Sequence, residues 1–294
     1  MQNFTFSPEQ PFGLNLFSTF FEPAYKAVTG NDATAFHYVE DISFGSTNAQ
    51  VIGTCIVYYI TIFGGQALMT NMPAFKLNFL FQVHNALLTL ASGALLILFI
   101  EQVSPILWHQ GVLSAFCHPE SWTQKLELLY YLNYLVKYWE LLDTVFLFLK
   151  KKQLEFLHYF HHSMTMALCY VQLNGRTSVS WVPIILNLTV HVFMYYYYFR
   201  TASGARIWWK KYLTTMQIVQ FIIDLVIIYF CSYTYFAATY FPYFPNAGTC
   251  AGTETSAIAG CSLLSSYLLL FINFYHQTYK AKTRGAANVK AKAL

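Results

Sequence analysis

Residues 158–165 read His-Tyr-Phe-His-His-Ser-Met-Thr, and this stretch lies inside an apolar run that is long enough to enter a membrane. Because a helix turns about 100° per residue, the three imidazoles and Thr165 share about a third of its circumference. Titratable rings are costly in hydrocarbon unless they face a protein-lined cavity. The stretch therefore predicts a helix in a membrane-embedded bundle, with its polar face lining a functional site.

The composition also indicates a polytopic membrane protein. Charged residues make up 10% of the 294 residues, against roughly 25% in soluble domains, and hydrophobic residues make up 56%. Residues 1–46 hold five acids and one base, whereas residues 280–294 hold five bases and no acid. Since no aromatic residues alternate with those bases, the asymmetry indicates membrane topology, and we expect no nucleic-acid partner.

Seven apolar stretches are each long enough to cross a bilayer of about 30 Å as a helix. They lie near residues 50–69, 79–102, 126–149, 156–173, 178–199, 212–237 and 257–278. We therefore predict an all-α, polytopic membrane protein with seven transmembrane helices. In this scheme residues 1–46 form a luminal segment, residues 47–279 a membrane catalytic domain and residues 280–294 a cytosolic basic tail.

Lysine and arginine assign the two sides of the membrane, because cytosolic connections are enriched in both. The loops at 104–123 and 238–256 contain neither residue, and they alternate with base-rich connections such as Lys150–Lys152. This pattern predicts a luminal N-terminus and a cytosolic C-terminus.

Both ends of the chain carry short signals that agree with this orientation. Asn3 begins an Asn-Phe-Thr glycosylation acceptor, which fits the luminal side. Lys290 and Lys292 resemble the dilysine signal for retrieval to the endoplasmic reticulum, although a solvated basic tail would read the same way. We expect a multi-pass protein of that membrane.

Two of the six cysteines lie in loops assigned to the oxidising, luminal side, where disulfides persist. We therefore predict a bond between Cys117 and Cys250. The other four lie in or beside the spans as small apolar packing residues: Cys55, Cys169, Cys231 and Cys261.

Four successive predicted helices each carry one polar stripe, which predicts a bundle around a polar chamber. The stripes comprise Lys137, Glu140, Asp143 and Thr144; His158, His161 and His162; Asn187, His191, Tyr195 and Tyr198; and Gln217, Gln220 and Asp224. Lys137 and Glu140 can neutralise each other at i, i+3, so this pair is either structural or catalytic. Asp143 is the better candidate for fixing the tautomer of a histidine on the next helix. Weaker additions come from Gln82, His84 and Asn85 on the second span.

Together these blocks resemble the ELO family of fatty-acid elongases, particularly its fungal very-long-chain members. The family's motifs occur in order as Lys-x-x-Glu-x-x-Asp-Thr (137–144), His-x-x-His-His (158–162), His-x-x-Met-Tyr-x-Tyr-Tyr (191–198) and Thr-x-x-Gln-x-x-Gln (214–220). The resemblance covers roughly residues 50–280. It implies a helical barrel of spans two to seven around an acyl tunnel, with span one outside.

The resemblance also implies an activity, that of a 3-oxoacyl-CoA synthase of the endoplasmic reticulum. Such an enzyme condenses a long-chain acyl-CoA with malonyl-CoA, releases carbon dioxide and CoA, and makes a 3-oxoacyl-CoA two carbons longer. Its implied partners are the 3-oxoacyl-CoA reductase, 3-hydroxyacyl-CoA dehydratase and enoyl reductase of the elongation cycle. The fungal resemblance favours saturated, long to very long chains, as used in sphingolipids, and leaves a homo-oligomer open.

His161 is the expected acyl acceptor, as the resemblance suggests. A neutral imidazole can attack a thioester to give an acyl-imidazole, and Cys169 lies off the histidine face. His158 and His162 would orient His161 or move protons.

The neighbouring polar groups would act on charge that develops during the reaction. His191 and Asn187 are expected to stabilise an oxyanion or enolate. Lys137 would bind the malonyl carboxylate or neutralise Glu140 and Asp143.

Further residues are expected to bind substrate. The phosphates of CoA suit the cytosolic bases, although the positive-inside rule explains them equally well: Lys150, Lys151, Lys152, Arg206, Lys210 and Lys211. Other expected substrate contacts are Tyr195, Tyr198, Gln217 and Gln220. The two glutamines could instead hold neighbouring helices together through hydrogen bonds. Candidates for setting tunnel depth are Tyr229, Phe230, Tyr233 and Tyr235.

Two other protein classes share single features with this sequence. A di-iron desaturase or hydroxylase also uses His-x-x-His-His but needs repeated boxes, and this chain has one, so no metal or cofactor is expected. A seven-span transporter or receptor would need a pathway open to both faces, and no span shows the paired Gly/Pro interruptions of inverted-repeat transporters.

Overall fold

The computed structural model describes residues 5–280, so Asn3, Lys290 and Lys292 lie outside the described residues. Its helices are α1 (Glu22–Thr29), α2 (Asn48–Leu68), α3 (Asn78–Cys117), α4 (Gln124–Glu140), α5 (Leu142–Leu149), α6 (Phe156–Asn174), α7 (Trp181–Ala202), α8 (Lys210–Tyr240) and α9 (Glu254–Tyr275). Short 3₁₀ or π turns lie at Phe17–Phe21, Ala33–Ala35, Met69–Asn71, Pro119–Ser121, Ser178–Ser180 and His276–Lys280. No strand occurs within residues 5–280, and the all-α prediction is confirmed.

Five helical segments are long and apolar enough to cross a membrane. They contain α2, α3, α7, α8 and α9 and correspond to the first, second, fifth, sixth and seventh predicted spans. The third predicted span is instead two shorter helices, α4 and α5, which meet at Leu141. The fourth is the 19-residue α6, whose histidines make it less apolar. The count of seven spans therefore stays a prediction.

Helix α3 extends further than the sequence indicates. It runs for 40 residues to Cys117, so most of the loop expected at 104–123 is helical. Gly111 interrupts it with φ 80° and ψ 169°, a backbone conformation that glycine adopts without steric cost. The break lets the last turns of α3 change direction at the end of the bundle.

Six helices close into a ring around a central space. Contacts run from α3 to α4, then to α6, α9, α8 and α7, and from α7 back to α3. Helix α2 packs outside this ring, against α5 and α6. The predicted helical barrel with the first span outside it is therefore confirmed.

The segment before α2 is attached to the barrel by two buried carboxylates. Glu101 accepts hydrogen bonds from the backbone N–H groups of Leu16 (2.6 Å) and Phe17 (3.0 Å). Glu127 accepts one from the backbone of Tyr38 (2.8 Å). Both acids lie on helices of the barrel, so this segment packs against the second half of α3 and the start of α4.

A disulfide joins the end of α3 to the loop before α9. Its cysteines are Cys117 and Cys250, the pair that the sequence predicts, and both are buried. The backbone N–H of Ala251 also donates to the carbonyl of Cys117 (2.8 Å). The other four cysteines are free.

Replacing Cys117 with serine should lower the free energy of unfolding by about 2–5 kcal/mol, because a cross-link between distant positions restricts the unfolded chain. The two cysteines are 133 residues apart. The measurement is thermal unfolding in detergent, with Cys261→Ser as the matched loss of a free thiol. An equal loss in both variants would contradict the prediction.

Candidate active site

The three imidazoles of α6 face two different regions, because consecutive helical residues point about 100° apart. His161 lies among aromatic rings of α8 and α9, with its ring centroid 4.8 Å from that of Tyr267. His162 faces α5, and its Nε2 lies 3.9 Å from Oδ2 of Asp143. The His158 ring packs on the His162 ring at 4.5 Å. The histidine motif therefore splits into one inward imidazole and a pair behind it.

A long cavity runs inside the barrel along one face of α6. Its lining includes His161, Thr165, Leu168 and Gln172, and the first and last of these lie about 16 Å apart at 1.5 Å per residue. Of the histidines in residues 5–280, His161 alone lines this cavity. Cys169 lines it as well, so the expectation that Cys169 lies off the histidine face is wrong.

The two ends of this cavity differ in chemistry. Beside His161 the wall includes Lys137 and Asn187, whereas the far end includes Trp122 and Cys250 of the disulfide. Most of the wall between them is apolar or aromatic. The arrangement suits a long hydrocarbon chain with its reactive group at the histidine end.

Four polar side chains, three of them buried and Asn187 partly buried, close a ring of contacts beside the cavity. Nζ of Lys137 donates to Oε1 of Glu140 and to Oδ1 of Asn187, both at 2.8 Å. Nδ2 of Asn187 contacts Nε2 of His191 (3.2 Å), whose Nδ1 lies 3.1 Å from Oε1 of Glu140. The ion pair between Lys137 and Glu140 thus forms as the i, i+3 spacing predicts. Both imidazole nitrogens of His191 face members of this ring.

Asp143 has a different partner from the one that the sequence suggests. Oδ1 of Asp143 is hydrogen-bonded to Nε2 of His84 on α3 (2.6 Å), and Oδ2 accepts a hydrogen bond from the hydroxyl of Tyr195 (2.8 Å). The nearest α6 contact, to His162, is 3.9 Å and too long for a hydrogen bond. His84 is therefore a site residue, although the sequence supports it only weakly as part of the polar chamber. The reason is that a single histidine on an apolar helix does not by itself indicate a functional site.

The other expected substrate contacts divide by location. Gln220 lines the cavity and donates to Asp224, whereas Gln217 contacts the sulfur of Met194 (3.7 Å). Tyr195 is buried against Asp143, and Tyr198 is 40% exposed. Of these four residues, Gln220 is the one that lines the cavity.

The basic residues lie at the end of the barrel where α5 ends and α8 begins. Lys150 donates to Asn78 (3.2 Å), and Lys151 donates to the carbonyl of Thr70 (3.0 Å). The remaining four are exposed: Lys152, Arg206, Lys210 and Lys211. This end of the barrel therefore presents a basic surface.

The aromatic candidates for tunnel depth are mostly on the outside. Tyr229, Phe230 and Tyr233 are between two-fifths and about half exposed, and Tyr235 lines the cavity. A single sequence does not show which face of a long apolar helix points inward. Tyr235 is thus the candidate whose position fits that role.

Within residues 5–280, one group of side chains has the spacing of a metal site. It consists of Cys117, Cys231 and Cys250, and two of these form the disulfide. The histidines of α6 do not form such a group in the described chain.

Comparison with known proteins places this architecture in a family. The family model described as "ELO: GNS1/SUR4 family" matches residues 43–287. The chain belongs to the ELO family. This ELO-family chain is 47% identical over 98% of its length to "Putative fatty acid elongase 1" of Schizosaccharomyces pombe, covering 85% of that protein. It is 35% identical over 77% of its length to "Fatty acid elongase A" of Dictyostelium discoideum, covering 81% of it.

A mammalian relative extends the same pattern. The chain is 30% identical over 77% of its length to "Very long chain fatty acid elongase 2" of Rattus norvegicus, and covers 78% of that protein. The names of these relatives support a role in fatty-acid elongation. The apolar helices and the relatives together indicate a multi-pass membrane protein.

Proposed function

We propose that this chain is the condensing enzyme of fatty-acid elongation, a 3-oxoacyl-CoA synthase. It joins a long-chain acyl-CoA to malonyl-CoA and releases CoA and carbon dioxide. The observation that carries the proposal is the position of His161, whose imidazole lines one end of a long, largely apolar cavity. A reactive group at the end of a hydrocarbon channel is the arrangement that acyl transfer requires.

In the first half-reaction, a nitrogen of neutral His161 attacks the thioester carbonyl. The new N–C bond forms as the C–S bond breaks, and the CoA thiolate takes a proton as it leaves. The product is an acyl-imidazole with its chain in the cavity. The aromatic rings around His161 keep water from this intermediate, which would otherwise be hydrolysed.

In the second half-reaction, malonyl-CoA loses carbon dioxide, and the resulting carbanion attacks the acyl carbonyl. The C–C bond forms as the N–C bond to His161 breaks, and the departing imidazolate takes up one proton from solvent, which returns the neutral imidazole. Lys137 suits the malonyl carboxylate or the developing oxyanion, because an ammonium has three N–H donors and two of them are used by Glu140 and Asn187.

The ring of contacts around Lys137 changes the roles expected for two residues. His191 contacts Asn187 and lies beside Glu140, although its Nδ1 makes no hydrogen bond within the described residues. It does not line the cavity, so it positions its neighbours instead of contacting substrate. Behind His161, Nε2 of His158 and Nδ1 of His162 make no hydrogen bond within the described chain. These two nitrogens are available to carry protons.

The setting of the reaction follows from the same proposal. The basic end of the barrel binds the CoA phosphates. It lies on the cytosolic side of the endoplasmic reticulum membrane, and the N-terminus lies on the luminal side. Saturated, long to very long chains fill the cavity. The separate reductase, dehydratase and enoyl reductase then complete each cycle of elongation.

The test is release of labelled carbon dioxide from carboxyl-labelled malonyl-CoA by the purified protein. We expect release that depends on added acyl-CoA, together with a 3-oxoacyl-CoA two carbons longer. Release without acyl-CoA, or transfer of acyl-CoA across vesicles without any release, would contradict the proposal and favour the transporter class.

A further inference from the structure

Asp224 is a buried acid that the condensation described above does not use. It lies on α8, is 0% exposed and contributes to the cavity lining. Its Oδ2 accepts a hydrogen bond from Nε2 of Gln220 (3.3 Å), and its Oδ1 makes no hydrogen bond within the described residues. Within the same residues it forms no ion pair. A buried polar atom without a partner is costly and requires an explanation.

The position of Asp224 along the cavity is defined by its neighbours. Phe221, three residues earlier, has its ring centroid 6.4 Å from that of His161. Three helical residues advance about 4.5 Å, so Asp224 lies slightly deeper than the imidazole. An acyl chain attached to His161 therefore passes Asp224 within its first few carbons.

We propose that Asp224 forms an oxygen-binding subsite that accepts a hydroxyl on the acyl chain close to the thioester. This inference rests on the proposed function, because it takes the cavity as the acyl channel. Gln220 holds the carboxyl group through Oδ2, which leaves Oδ1 for the ligand. An unsubstituted chain leaves Oδ1 unpaired, whereas a hydroxyl at carbon 2 or 3 supplies the missing hydrogen bond.

The chemistry of the wall makes this subsite specific. A site that hydrogen-bonds a substrate hydroxyl discriminates more strongly than an apolar pocket does, because a mismatch leaves a buried polar group unpaired. One turn deeper on α8, Ile228 lines the same cavity with an aliphatic side chain. The subsite is thus confined to the part of the channel beside His161.

The experiment compares hydroxyacyl-CoA with unsubstituted acyl-CoA of the same length. The ratio of their kcat/KM values is measured for wild type, Asp224→Leu and Asp224→Asn, with Ile228→Val as the matched control. We expect Asp224→Leu to lower the ratio about tenfold for hydroxyls at carbon 2 or 3. Asp224→Asn, which still offers a hydrogen bond, should keep most of the ratio, and a mid-chain hydroxyl should not respond to any variant.

Ligand-dependent thermal stabilisation of the same four proteins gives a second measure that needs no turnover. If wild type shows no condensation at all but is stabilised more by the hydroxyacyl-CoA in an Asp224-dependent way, the proposed function fails and the subsite stands. An unchanged ratio and unchanged stabilisation in Asp224→Leu would overturn the subsite. A tenfold loss shared by Ile228→Val would also overturn it.

Discussion

Alanine in place of His161 is expected to lower turnover by at least about a thousandfold and to abolish the covalent acyl adduct. A catalytic nucleophile and the residues around it accelerate the reaction together. Removing the nucleophile alone therefore loses most of the rate acceleration that the whole group provides. His161 is the imidazole that lines the cavity, and its neighbours on α6 face Asp143 instead. Within the described residues, no other imidazole is therefore placed to replace it.

The measurement is intact-mass analysis after incubation with acyl-CoA alone, before malonyl-CoA is added. Wild type should gain the mass of one acyl group, and His161→Ala should not. His109→Ala is the matched control, because it also removes an imidazole, but one that is bonded to Glu9 and exposed. A His161→Ala protein that still forms the adduct and turns over normally would refute the assignment.

Glutamine in place of Glu140 is expected to destabilise the fold by about 3–5 kcal/mol, because it leaves a buried ammonium without its carboxylate. Lys137 and Glu140 are each 2% exposed, so solvent cannot replace the lost partner. The measurement is the free energy of unfolding, or the thermal midpoint, in detergent. The glutamine amide is close in size to the glutamate carboxylate. The loss in free energy of unfolding therefore comes from the missing charge and not from an empty space in the core.

A second variant separates the structural role of this pair from a catalytic one. The double replacement Lys137→Met with Glu140→Gln removes both charges and should restore most of the stability. Condensation should remain low if Lys137 binds the malonyl carboxylate or the oxyanion. Full recovery of both stability and turnover would show that the pair serves only to orient helices.

The hydrogen-bond partners of Asp143 could not be predicted from the sequence. Asp143 lies on the predicted helix that precedes the histidine helix, and a carboxylate commonly fixes the tautomer of an imidazole. The sequence therefore predicts a hydrogen bond from Asp143 to a histidine of α6. The structure bonds it to His84, 59 residues earlier, and to Tyr195, 52 residues later. Helical periodicity gives the direction of a side chain around its own axis, but not which helix lies opposite.

The residues of α8 that line the cavity could not be predicted from the sequence either. Tyr229, Phe230, Tyr233 and Tyr235 lie on one apolar helix, and composition alone does not separate its lipid face from its inner face. The ring of helix contacts decides this, leaving Tyr235 on the cavity and the other three exposed. The unpartnered oxygen of Asp224 is likewise visible only when its neighbours are in place.

By itself, the sequence determined the all-α membrane class, the polar stripes, the family and the pairing of Cys117 with Cys250. These follow from local composition, helical period and ordered motifs, which need no knowledge of neighbouring helices. The tertiary structure alone decided that His161 faces the cavity while His158 and His162 face α5, and that His84 belongs to the site. The physical reason is that each side chain's environment depends on which helices pack around it, and packing joins residues far apart in the chain.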